Sequence, residues 1–329
     1  MRDLPLVSLL LGAILLGLAA SILMGSTPLP PDRALAGLLG AGEAGDSIVV
    51  WQIRLPRALA ALLTGAALGM AGAAMQGLLR NPLADPGVLG VSAGASLAAT
   101  TVLFFGLASA WAWAVPVAAI AGALVATALL AAVAGRVGSV VTLILVGVGV
   151  SSLAGALMSL LMNFAPNPFS LADLVNWMLG TVANRSFAEL GLAAPFLAAG
   201  AALLWGARRG LTALTLGEEA ARAIGLDLGR MRLAMITGTG FLVGASVSLA
   251  GAVGFVGLVA PHLMRPLVGH DPARSLVPSA LLGGLVLLAA DLLVRIAPTT
   301  GELKLGVVAA LIGAPLFILI AARRGRSDD

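Results

Sequence analysis

The sequence predicts an all-α, polytopic integral membrane protein of about ten transmembrane helices with both termini cytoplasmic. Three observations carry that expectation. Of the 329 residues, 60% are apolar and only 10% charged, with a mean hydropathy of +1.06; soluble domains run about 45–50% apolar and about 25% charged. A bilayer core about 30 Å thick takes ~20 helical residues per crossing, so the apolar content supplies roughly ten crossings and little else. Finally, basic residues divide unequally between the two sides that such a topology defines. A water-soluble enzyme of this length is excluded for want of polar surface.

Taken in chain order, the apolar runs are 4–24, 58–79, 87–106, 111–134, 140–164, 188–206 and 233–253, a shorter one at 254–263, then 276–296 and 305–322. The first run has the position of a signal peptide. Its flank Met1-Arg2-Asp3 is barely basic and its apolar core is long for that purpose, so it is read as a retained helix. With the N-terminus inside, 13 basic residues fall on the cytoplasmic side and 6 outside, namely Arg33, Arg54, Arg57, Arg185, Arg295 and Lys304. That asymmetry follows the positive-inside rule, and the opposite orientation would invert it. The chain is therefore read as a single transmembrane domain over 1–329, with a cytoplasmic loop at 207–232.

Composition excludes further classes. There is no cysteine, hence no disulfide and no thiolate metal site. Lys304 is the only lysine and Leu305 follows it, so the chain carries no G-x-x-x-x-G-K-[ST] phosphate loop and hydrolyses no nucleotide itself. A net charge of +4 on a chain this apolar makes nucleic acid a poor partner. The 42 glycines favour close helix packing. Gly65-Ala66 and Ala71-Gly72-Ala73 recur as Gly244-Ala245 and Ala250-Gly251-Ala252, with Pro82 matched by Pro261, as an internal repeat or a chance match in a Gly- and Ala-rich chain.

Polar positions are few. Asp291 is the clearest carboxylate within an apolar run; Arg295 lies one turn on, which reads as an i,i+4 pair near a helix end with the guanidinium snorkelling outward. His262 and His270 read as solvated loop residues. Thr215–Gly225 reads as a short helix with Glu218 and Glu219 in its first turn and Ile224 and Leu226 on an apolar side, a docking element for a cytoplasmic partner. On the outer face, Arg54, Arg57 and Arg295 suit either lipid snorkelling or the carboxylates of a soluble partner. The outer segment 163–187, with Asn163, Asn167, Asp173, Asn176, Trp177 and Arg185 above Met158 and Met162, suits a large chelated cargo or an interfacial Trp177 anchor.

Six segments carry a resemblance: RLPR at 54–57, QGLLRNPLADPG at 76–87, LGVSAGA at 89–95, GEEAA at 217–221, GFVGLVAPH at 254–262 and LGVVAALIGAPLF at 305–317. In this order, over nearly the whole chain, they resemble the membrane subunits of type II bacterial ABC importers for iron chelates, haem and cobalamin. The resemblance implies a multi-pass permease of the bacterial inner membrane, paired with a second copy of itself. It also implies two ATP-binding cassette subunits below, which use the ATP, and a periplasmic substrate-binding protein above. By position, Arg54, Arg57 and Arg295 resemble the arginines that receive the binding protein. Glu218, Ala221, Arg222 and Gly225 lie in what resembles the coupling helix. Ser139, Val140, Val141, Thr142 and Leu143 resemble the cytoplasmic gate, with Met158 and Met162 toward the pathway. No catalytic residue, bound cofactor or metal site is expected in this chain. Relatives usually carry proline where Lys304 stands. The competing class is an ion-coupled secondary transporter, which needs buried carboxylates such as Asp291 or Asp173.

Overall fold

The computed structural model describes residues 3–25, 27–136, 140–297 and 303–325. Its helices run in chain order α1 (Leu4–Leu23), α2 (Pro31–Leu38), α3 (Ala44–Ile48), α4 (Leu55–Leu78), α5 (Val91–Phe104), α6 (Leu107–Ala110), α7 (Ala114–Arg136) and α8 (Val140–Asn163). They continue as α9 (Pro168–Leu179), α10 (Phe187–Leu214), α11 (Glu218–Ala223), α12 (Leu228–Ala250), α13 (Val256–Met264), α14 (Pro272–Ile296) and α15 (Leu305–Gly325). Every apolar run in the sequence is thus a helix: α1, α4, α5, α7, α8, α10, α12, α13, α14 and α15. Seven helices among the described residues are long and apolar enough to cross a bilayer, while α5, α13 and the described part of α15 are shorter.

Helices α4 and α12 form the centre. In each, 78% of the most apolar stretch is buried, against 17% in α1 and 22% in α8, which mark the periphery. Helix α4 packs on α14, α13, α12 and α10, and α12 packs on α10 and α7. Small residues make these approaches possible where no hydrophobic effect separates helix from lipid. A Cβ at Gly72 would overlap the carbonyl of Gly257, and one at Gly65 the carbonyl of Gly283. The two recurring glycines both lie at close helix contacts, but against different helices. Gly65 faces α14 and Gly244, its match, faces Ala123 of α7. The likeness stops at the helix ends, because Pro82 lies in a turn and Pro261 inside α13.

The entry to α4 departs from the sequence reading. The run expected from residue 58 is already helical from Ala44, passing through a π-helical stretch, Val49–Arg54. Pro56 lacks an N–H and its ring crowds the carbonyl four residues back. The wider turn, in which the Leu55 N–H bonds to the Val50 carbonyl, absorbs that conflict without ending the helix.

Candidate functional site

At the outer end, α1, α4 and α14 converge on one carboxylate. Arg57 Nε donates to Asp291 Oδ1 at 2.8 Å, and Arg295 Nη2 donates to Asp291 Oδ2 at 2.5 Å. Arg295 Nη1 also reaches the Ser21 carbonyl at 3.0 Å. Arg54 Nη1 and Nη2 donate to the carbonyls of Ile22, in the last turn of α1, and Thr27, just past its end, at 2.6 and 2.9 Å. Asp291 is 0% exposed, Arg54 3%, and Arg57 and Arg295 8% each. The sequence expectation of an outward-snorkelling Arg295 is corrected. Its guanidinium turns inward, since a buried carboxylate left unpaired is far costlier than a surface arginine turned in. In this structure the three arginines bind the chain's own backbone and Asp291 rather than projecting from the outer face. Asp291, which an ion-coupled carrier would have to protonate and release, is held by two cations.

The outer segment is largely exposed, with Leu174 and Trp177 buried within it. Asn167 caps α9 by accepting from the Ser170 N–H at 2.9 Å, and Ser186 and Glu189 form a capping box at the start of α10. Trp177 is buried with Arg185 at 6.0 Å from its ring centroid, so it is a packed residue and not an interfacial anchor. The Thr181 N–H bonds to the Ala250 carbonyl at 2.8 Å and fastens the end of α9 to the end of α12. Asn163, Asn167, Asp173 and Asn176 do face outward as exposed polar groups. At Lys304, where a proline was expected, the backbone carbonyl accepts from the N–H groups of Val307 and Val308 and begins α15. A proline carbonyl would serve equally, so the replacement adds charge without disturbing the helix start.

At the cytoplasmic end, α11 is bounded by Gly217 at φ +96° and Gly225 at φ +88°, conformations that favour glycine. Glu218 bonds Arg232 of α12 at 2.6 Å and lies 3.5 Å from Arg222. Ala221 is fully buried. Glu218 therefore holds α11 to α12 rather than facing solvent, while Arg222 is exposed. Ile224 is exposed as expected, but Leu226 tucks against Gly210, and Leu216, which the sequence reading passed over, is 70% exposed. Two bare aliphatic side chains thus flank the two ends of a six-residue helix.

Of the expected gate, Ser139 lies outside the described residues and Val140 opens α8. Val141 is exposed, Thr142 half-buried and Leu143 buried. Met158 is buried and Met162 half-buried, so Met158 packs into the subunit instead of lining an open path. Val141, Leu145, Val148, Ser152, Ala156 and Leu160 share one exposed face at helical spacing. An apolar cleft of about 580 Å³ separates α8 from α5 and α7. His262 sits within α13, half-buried, and only His270 lies in an exposed turn. Among the described residues no three of His, Cys, Asp and Glu group as metal ligands.

An all-helical membrane bundle with a short glycine-bounded helix at one end and a buried charge cluster at the other fits a membrane transport subunit, and its relatives are permeases of ABC importers. The chain belongs to the FecCD transport family, whose model matches residues 10–323. It is similar to the vitamin B12 import system permease protein BtuC of Klebsiella pneumoniae, at 40% identity over 95% of this chain and 92% of that one. The BtuC protein of Salmonella typhimurium is 42% identical over 86% of each chain. Among solved structures it is similar to one described as an inward-facing conformation of a metal-chelate type ABC transporter, with a TM-score of 0.85 and 29% identity over 96% of this chain and 98% of that one.

Proposed function

We propose that this chain is the permease of an ATP-driven cobalamin importer of the bacterial inner membrane. The observation that carries the reading is the 40% identity to a vitamin B12 permease over 95% of the chain. Cobalamin is itself a metal chelate, which accords with the likeness to a metal-chelate transporter. Haem and ferric siderophores are the competing cargoes.

In the proposed mechanism two copies face each other through the exposed stripe of α8, and the path runs between them. ATP is hydrolysed in separate cassette subunits that grip α11 through Leu216, Arg222 and Ile224. Glu218 transmits that movement to α12 through its ion pair with Arg232, a polar tie between the two helices. The cleft behind α8 leaves room for this helix to shift against α5 and α7, opening or closing the end near Val141. On the outer face a periplasmic binding protein docks over the ends of α4 and α14, where Arg54, Arg57 and Arg295 lie. Its carboxylates compete with Asp291 for the two guanidiniums that this residue holds.

The test is reconstitution of the chain in vesicles with its ATPase and binding protein, followed by ATP hydrolysis and uptake with cyanocobalamin, haem and a ferric siderophore. Cobalamin-stimulated turnover that requires the binding protein is the expected result. Stimulation by an iron chelate alone would overturn the cargo, and uptake by the isolated chain down an ion gradient would overturn the class.

A further inference from the structure

At the cytoplasmic end of the bundle, away from α11, the ends of α1, α10 and α14 enclose a pocket of about 300 Å³. Three arginines from two helices line it: Arg208 and Arg209 of α10 and Arg274 of α14. Arg208 lies with its guanidinium carbon 3.8 Å from the centroid of Trp205 and donates to the Trp205 carbonyl at 2.6 Å. Its charge is thereby fixed in place, with no carboxylate bonded to it among the described residues. Arg209 is exposed and makes no ion pair among the described residues. Arg274 alone is paired, holding Asp3 through Nε at 2.9 Å and also through Nη2. The lining therefore carries three positive charges against one negative charge. Asp271, just behind the wall, is occupied by Thr212 Oγ1 at 2.9 Å and by the Ala273 N–H at 2.9 Å. Those bonds and the Asp3–Arg274 pair tie the walls together, so the pocket is held open by the fold.

We infer that this pocket binds the phosphate of an anionic phospholipid from the cytoplasmic leaflet. Charge and surroundings both point to a lipid. Val7 and Val277 give the pocket an apolar side, and Trp205 is 47% exposed at the rim, as expected for an aromatic at the headgroup level. Basic pockets between transmembrane helices on this side suit phosphate headgroups, and each arginine near the surface contributes about 1 kcal/mol. The site sits where α10 leaves the membrane toward α11, so an occupied pocket would brace the root of the coupling loop. A carboxylate-bearing protein partner is the alternative occupant, but it would leave the apolar side uncovered.

The experiment is native mass spectrometry of the purified full-length chain, from mixed phosphatidylglycerol and phosphatidylcholine at equal concentration. Selective retention of phosphatidylglycerol is expected, falling about 30-fold in an R208Q/R209Q variant, since two contributions of that size are lost. R230Q, which changes a cytoplasmic arginine outside the pocket, should retain the lipid as the parent does. Val277→Trp, which keeps every charge and fills the cavity, should also lose it. Glycerol 3-phosphate at millimolar concentration should fail to displace the lipid; displacement would make the ligand a free phosphate and overturn the lipid assignment. Equal retention of both lipids, or equal loss with R230Q, would reduce the effect to general surface charge. Unchanged lipid retention with lost ATPase binding in R208Q/R209Q would hand the pocket to a protein partner.

Discussion

Arg57 and Asp291 meet at 2.8 Å although 234 residues separate them in sequence. The contact joins the head of α4 to the tail of α14, and Arg295 completes it from one turn further on. At the outer end of the bundle one buried carboxylate thus accepts from two guanidiniums carried by different helices. That cluster is held inward in the isolated chain.

Removing Asp291 tests the cluster. Asp291→Ala leaves two buried guanidiniums without their carboxylate, and breaking one side of a buried pair costs about 3–5 kcal/mol. Thermal unfolding in detergent should show a large drop in Tm. Asp291→Asn should fall between the two, because the amide oxygen still accepts one bond. An unchanged Tm in Asp291→Ala would mean that the arginines find other partners at no cost.

The coupling helix calls for two variants with different failures. Glu218→Gln breaks the tie to Arg232 and should lower transport per ATP hydrolysed while the ATPase still binds. Ile224→Asp places a charge on the exposed apolar side and should weaken ATPase binding by about tenfold or more, with Tm of the isolated chain unchanged. Loss of ATPase binding in Glu218→Gln with none in Ile224→Asp would reverse the roles given to the two residues.

Close helix packing predicts a third outcome. At Gly72 a side chain would overlap the Gly257 backbone of α13, which has no rotamer to yield. Gly72→Val should cost about 3 kcal/mol or more and give little folded protein in the membrane. Gly149, where nothing lies within 4 Å, should accept alanine in the isolated chain without loss. Equal expression of Gly72→Val and Gly149→Ala would show that α4 and α13 separate freely.

The bundle was legible in the sequence because membrane helices are written in long apolar runs; each of the ten runs is a helix, while the early start of α4 at Ala44 and the extension of α10 to Leu214 lie outside those runs. Site residues were legible by position and less so by environment. The i,i+4 spacing of Asp291 and Arg295 was visible, but nothing local says that Arg57 arrives at the same carboxylate from another helix. His262 was taken for a loop residue because Pro261 precedes it, whereas α13 runs through that proline. Met158 and Trp177 carry the side chains expected of a cargo mouth, yet helix rotation decides which way each faces. Leu216 went unnoticed because a lone leucine beside glycine means little until the structure leaves it bare.

Asp85 yields a prediction with a defined pH dependence. It lies in the turn between α4 and α5, where its Oδ1 accepts from the Gly87 N–H at 2.7 Å. Burial holds its carboxyl above the ordinary value of 3.8, with the bond from Gly87 opposing the shift. An acid whose pKa is raised on folding keeps its proton more firmly in the native state than in the unfolded one. Stability therefore falls as pH climbs from about 3.8 through the raised folded value and is level above it. Asp85→Asn keeps an oxygen to accept from Gly87 and carries no charge to desolvate. Its Tm relative to the parent should rise with pH across that window and then stay constant at neutrality. Thermal unfolding of both proteins from pH 4 to 8 measures the difference, and a pH-independent gap would show that the Asp85 carboxyl is not penalised by its burial.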